Sequence, residues 1–183
     1  MGYTTYLCGE FEFDRPLKPE HMEYLTDFSN SRRMMRNADI LAEMDDPVRV
    51  STGLPLGDDG GYFVSATGFR GQGMDESVVD FNRPPSGQPG LWCQWVPNED
   101  GTAIVWDDGE KFYNYVEWLE YLIEHFLKPW GYVLNGSVSY SGEEPDDRGW
   151  IHVKDNRVQA IDDVITSPDP VWDDPVPSES VTE

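Results

Sequence analysis

From residue 110 to residue 128, apolar side chains recur at three- and four-residue steps: Phe112, Tyr115, Val116, Leu119, Leu122, Ile123 and Phe126. This is the period of one face of an α-helix, and Asn114, Glu117, Glu120, Glu124 and Lys128 fall mostly outside the stripe. Asp107 stands where an N-cap belongs, with Glu110 three residues on to complete a capping box, while Pro129 and Gly131 mark the end. Trp118, Tyr121 and His125 add a second ridge beside the stripe, so a wide face of this helix is expected to be buried. A shorter stripe, Met22, Leu25 and Phe28, predicts a first helix over residues 20–33, with Pro19 in its first turn.

A period of two governs most of the rest. In residues 4–14, Leu7, Gly9, Phe11 and Phe13 alternate with Tyr6, Cys8, Glu10 and Glu12, which reads as a strand with one buried face. Residues 91–96 and 102–107 flank a turn ending in Asp100-Gly101 and predict a hairpin, with Trp92 and Trp106 sharing a face. A short strand is expected at 62–64. Three antiparallel strands, near 132–140, 149–153 and 157–161, close the pattern. The resulting expectation is an α+β fold in the order β-α-β-β-β-α-β-β-β: an antiparallel sheet of about five or six strands with two helices packed on one face. Residues 1–161 form one globular domain in this reading. Residues 162–183, acidic and proline-rich, form a flexible tail unless Trp172 docks.

Charge changes the functional picture more than the fold. The chain of 183 residues carries a formal net charge of −22. The tail holds seven acids and no base, and the body holds 28 acids against 13 bases. Such a body repels nucleic acid, so direct nucleic-acid binding is not expected; a duplex mimic that occupies basic clefts on another protein remains compatible. Against this background, Arg32, Arg33 and Arg36 stand together, and Arg49, Arg70 and Arg83 follow. One reading makes the first three solvated arginines that compensate a helix dipole. The other makes them an anion site with Arg70 and Arg83, because closely spaced guanidiniums clamp phosphate or carboxylate. Trp92 and Trp95 are the candidate stacking residues of that site, and the long irregular stretch 38–90 its setting.

Other chemistry finds little support. His21, His125 and His152 stand singly, and no metal-binding spacing of Cys or His occurs, so neither metal nor cofactor is expected. The Asp-Asp-Gly and Glu-Asp-Gly triplets at 58–60, 99–101 and 107–109 read as turns. Glycines 68, 71 and 73 match no phosphate-binding loop, and no G-x-S-x-G is present. Cys8 and Cys93 are expected to be reduced, buried thiols. With no apolar span and no signal-peptide pattern at the N-terminus, the expected location is the cytoplasm, with no membrane contact.

Several ordered strings carry a likeness: Met1-Gly-Tyr-Thr-Thr, Arg32-Arg-Met-Met-Arg, Gly53-Leu-Pro-Leu-Gly, Gln88-Pro-Gly-Leu-Trp-Cys-Gln-Trp-Val-Pro, Glu110-Lys-Phe-Tyr, Lys128-Pro-Trp-Gly-Tyr-Val-Leu-Asn-Gly and Gly142-Glu-Glu-Pro-Asp-Asp. On these, residues 1–160 resemble a family of small uncharacterised bacteriophage and bacterial proteins. The resemblance implies a phage or prophage setting and the host cytoplasm, and it transfers no catalytic or binding residue. The leading functional expectation is a non-enzymatic accessory protein that binds a host macromolecule or an anionic, nucleotide-like small ligand. An enzyme acting on a nucleotide or phosphorylated substrate is the second, and the acidic duplex mimic the third.

Overall fold

The computed structural model describes residues 2–162 and Trp172. Strand β1 (Tyr6–Phe13) lies at the centre of a six-stranded antiparallel sheet. Its neighbours are β5 (Ala103–Trp106) on one side and β6 (Leu134–Ser141) on the other. The hairpin partner of β5, β4 (Trp95–Pro97), forms one edge, and β7 (Arg148–Lys154) and β8 (Arg157–Asp162) complete the other side, giving the order β4-β5-β1-β6-β7-β8. Alternation places Leu7, Phe11 and Phe13 of β1 on the covered face, with Leu134, Val138 and Tyr140 of β6 and Ile151 and Val153 of β7. Asp155 and Asn156 both take positive φ in the two-residue turn joining β7 to β8, as a tight hairpin requires.

Two helices cover that face. Helix α1 (Pro19–Ser29) buries His21, Tyr24, Leu25 and Phe28. Helix α4 (Tyr115–Leu122) buries Trp118, Leu119, Tyr121 and Leu122 and runs on through a π turn, Ile123–Leu127, into α5 (Lys128–Trp130). The π turn lets Pro129 stay helical: the Lys128 N–H reaches back five residues to the Ile123 carbonyl, and the wider turn makes room for the ring. Phe126 is fully buried, meeting Tyr24, Phe28 and Tyr62 edge-on at 5.2–5.3 Å between ring centres. The ridge from Phe112 to Phe126 is therefore core, as its periodicity requires.

Four details differ from expectation. The main helix begins at Tyr115 rather than near Glu110, because Asp107 uses its carboxylate on the Gly109 N–H, 2.8 Å away, in a local turn. The first helix stops at Ser29, so Arg32 and Arg33 lie beyond it. Residues 62–64 are irregular, and the paired strands of that half are β2 (Met35–Arg36) and β3 (Val78–Asp80). Cys8 is exposed on the open face of β1, where alternation puts it, and only Cys93 is a buried thiol; both are free. The short helices α2 (Ala38–Leu41) and α3 (Pro47–Ser51) complete the irregular half. Apart from Trp172, whose ring centre lies 5.3 Å from the Arg157 guanidinium, residues 163–183 lie outside the described part, and with them the expected tail.

One buried titratable group ties the helices to the sheet. The Tyr132 hydroxyl accepts from the Lys18 N–H at 2.9 Å and is hydrogen-bonded to His21 Nδ1 at 2.8 Å. The imidazole ring stacks on Trp130 at 4.0 Å. Burial, more than any charge, lowers the His21 pKa below its ordinary value. The unfolded chain therefore binds a proton here before the folded one does, and this contribution to stability is lost as pH falls below about 6.5. In urea unfolding at pH about 7.5 and about 5.5, His21→Gln is expected to lose less stability on acidification than the wild type; equal losses contradict this packing.

Candidate functional site

A cleft of about 630 Å³ lies where the end of α1 and the irregular half meet the residues that flank the β4–β5 hairpin. That volume is mid-range for a small-molecule site. Its walls bring together Arg32, Arg70 and Trp92 of the sequence-predicted residues. Arg32 and Arg70 are coupled through the backbone, the Arg32 N–H donating to the Arg70 carbonyl at 3.1 Å. Arg32 is further oriented by its Nε donating to the Phe81 carbonyl at 2.9 Å and by stacking over the Phe81 ring at 4.1 Å. Arg70 stacks more loosely on Phe69, at 5.5 Å, and makes no ion pair among the described residues.

The other predicted residues do not join them. Arg33 is buried: its guanidinium donates to Ser31 Oγ and to the Gly61 and Phe63 carbonyls at 2.8–3.1 Å, and it lies 4.1 Å over the Phe28 ring. Arg36 is also buried, paired with Asp75 at 2.9 Å and donating to Ser77 Oγ at 2.7 Å. Neither is the solvated, dipole-compensating arginine of the first reading, and neither lines the cleft; both serve the fold. Arg49 is likewise engaged, with Asp46 at 2.8 Å. Arg83 is exposed and lies outside the cleft wall. Trp95 is core: 1% exposed, its Nε1 donating to the Tyr115 carbonyl at 2.7 Å, so stacking a ligand is not open to it.

The far wall comes from residues 107–114, which sequence reasoning assigned to the start of a helix. Asp107, Glu110, Lys111, Tyr113 and Asn114 all line the cleft. The Asp107-Asp108-Gly109 triplet is itself a turn signal, and locally it outweighs the capping box. Gln94 fixes this wall: its Nε2 donates to the Glu110 carbonyl at 2.9 Å, while its Oε1 accepts from Trp106 Nε1 at 3.2 Å. Burial raises the Asp107 carboxyl above the usual carboxylate range, although the Gly109 N–H and the Arg70 charge oppose it. Cys93 offers no nucleophile, because full burial pushes its thiol up to about 12. Among the described residues no group of three or more His, Cys, Asp or Glu is placed to hold a metal, and no helix is long and apolar enough to cross a membrane.

Backbone strain collects here as well. Seven non-glycine residues among those described have positive φ, and three of them, Arg70 (51°), Lys111 (60°) and Asn114 (57°), line the cleft; Asp108 (61°) adjoins it. For Arg and Lys this conformation costs on the order of 1 kcal/mol each, held in place by the surrounding structure. No family model, curated protein or solved structure matches the chain. Arg70→Gly is expected to raise folding stability by up to about 1 kcal/mol in urea unfolding, since relief of the strained backbone exceeds the added freedom of the unfolded chain. A loss of stability on that substitution would show that the Arg70 side chain supports the fold.

Proposed function

We propose that the protein binds an anionic small ligand with a planar ring, of the nucleotide-like class, in the cleft between Arg32, Arg70 and Trp92. The observation that carries the reading is this convergence: two guanidiniums, neither with an ion pair among the described residues, beside an indole in one concavity of an acidic body. The guanidiniums suit the oxygens of a phosphate or carboxylate, Lys111 adds a third cation, and Trp92 with Tyr113 suits the face of a ring. Asp107 and Glu110 keep the local excess of positive charge small, which favours a ligand that also carries hydrogen-bond donors. A non-enzymatic accessory role in a phage-infected or lysogenic host is the setting that belongs to this proposal.

A second reading rests on Asp107. A carboxyl with a raised pKa beside an arginine is a fitting general acid–base, so an enzyme acting on a nucleotide or phosphorylated substrate uses the same cleft. Turnover of a nucleotide that Asp107→Asn abolishes distinguishes this reading from binding alone.

Calorimetric titration with GMP tests the first reading. The wild type is expected to bind, and Arg70→Gly to weaken binding about tenfold or more, while the fold is no less stable. Asp107→Asn is expected to tighten binding near pH 7, because it removes a like charge from the site. That advantage shrinks as the pH is lowered, because the raised Asp107 carboxyl of the wild type takes up its own proton sooner than an ordinary carboxylate does. GMP affinity indifferent to both substitutions would sink the proposal.

A further inference from the structure

The face of the sheet that no helix covers is not evenly open. On β1 and β6 the outward residues Cys8, Glu10, Glu12, Asn135 and Ser137 are exposed. On β7 and β8 the cross-strand pairs Trp150–Ile161, His152–Gln159 and Lys154–Arg157 stand on the same face, because Ile151 and Val153 point into the core. Yet Trp150, Gln159 and Ile161 are half-buried, and His152 is only 5% exposed. Trp150 lies parallel to the imidazole, 6.0 Å between ring centres, and covers one side of it. Ser137, the neighbour of His152 on β6, bonds its Nδ1 at 2.7 Å but is itself exposed, so the rest of the cover does not come from β6. Gln159 Oε1 is also closed to solvent, with no donor to it among the described residues. Shielding thus grows toward β8, the edge of the sheet, where no further strand exists to provide it.

One described residue beyond β8 stands at this face. Trp172, ten positions after the Asp162 that ends the strand, is half-buried, and the Arg157 guanidinium lies over its ring at 5.3 Å from the centre, within cation–π range. We propose that the C-terminal segment docks in cis on the outer face of β7–β8, anchored by Trp172, with the acids beside the anchor, Asp169, Asp173 and Asp174, facing the bases of that surface. Reach allows it: Arg157 stands about 17 Å back along the strand from Asp162, and ten residue steps span up to about 33 Å. Charge favours it. Arg148, Lys154 and Arg157 are exposed, and no acid points outward from β7 or β8, whereas the segment from 163 onward holds acids and no base. Pro168, Pro170, Pro175 and Pro177 rule out a regular seventh strand on β8, so the segment is held by its side chains rather than by ladder hydrogen bonds. Docked there, it shields a free sheet edge and an aromatic, basic surface from other chains. The docking surface shares no residue with the cleft and does not depend on the ligand reading.

Histidine modification by diethyl pyrocarbonate, mapped by mass spectrometry on the full chain, reads the cover over His152, with His21 and His125 as internal references. Trp172→Ala is expected to speed modification of His152 about tenfold while both references keep their rates. Trp172→Phe, which keeps a ring but offers the guanidinium a weaker one, is expected to speed it less. Equal His152 rates in the wild type and Trp172→Ala overturn the docking. If all three histidines of Trp172→Ala react faster together, the variant has lost its fold and the wild type decides: nuclear Overhauser contacts between the Trp172 ring and the Arg157 side chain support the proposal, and their absence overturns it. Protection of His152 that disappears on about hundredfold dilution of the wild type identifies a second copy as the occupant and overturns docking in cis.

Discussion

The irregular half of this protein depends on one buried cation. Arg33 lies under the surface with no carboxylate against it; two backbone carbonyls and a serine hydroxyl take hydrogens of its two terminal nitrogens, its Nε has no partner among the described residues, and the guanidinium lies over the face of Phe28. Removing a guanidinium from water costs several kcal/mol, so such a group persists only where the chain is shaped to surround it. The shaping elements are the segment after α1, which supplies Ser31 and Arg33, and the loop that supplies Gly61 and Phe63. Gln88 donates to the same Gly61 carbonyl and thereby joins the 85–91 segment to the knot. Stretches of chain with little regular structure are thus joined through a polar centre rather than through a sheet.

That arrangement explains how a region with so few paired strands offers a defined cavity. The Arg33 N–H donates to the Leu91 carbonyl at 2.8 Å, and Arg32 and Leu91 both line the cleft. The arginine buried for the fold therefore places the neighbouring one at the ligand wall. On the opposite wall the backbone takes left-handed turns at Lys111 and Asn114, a cost that packing of Phe112, 2% exposed, helps to hold. Fold energy spent on Arg33 and on these turns leaves Arg32, Arg70, Trp92 and Asn114 in fixed relation around one space.

Periodicity made the regular half legible. Leu7, Phe11 and Phe13 announced the buried face of β1, and Phe112 to Phe126 announced the helix that covers it, because both signals repeat over many residues. Cys8 shows the same rule applied too loosely: alternation alone places it outward, and its residue type misled. The arginine cluster was visible as a departure from an acidic background, yet three adjacent guanidiniums met three fates, and sequence proximity carries no information on which of them finds carbonyls. Arg32, Arg70 and Trp92 were legible as candidates. The 107–114 wall was hidden behind a capping box that the structure does not use.

Native-state hydrogen exchange on the wild type and on Arg33→Met tests the role of the buried guanidinium most directly. If the cation organises the irregular half, the amides of Tyr62, Phe63 and Met35, which donate to Leu56, Gly60 and Arg83, lose protection in the variant. The amides that pair β6 with β7 keep theirs under the same conditions. Protection lost evenly over both halves, or unchanged in all of them, would contradict the account.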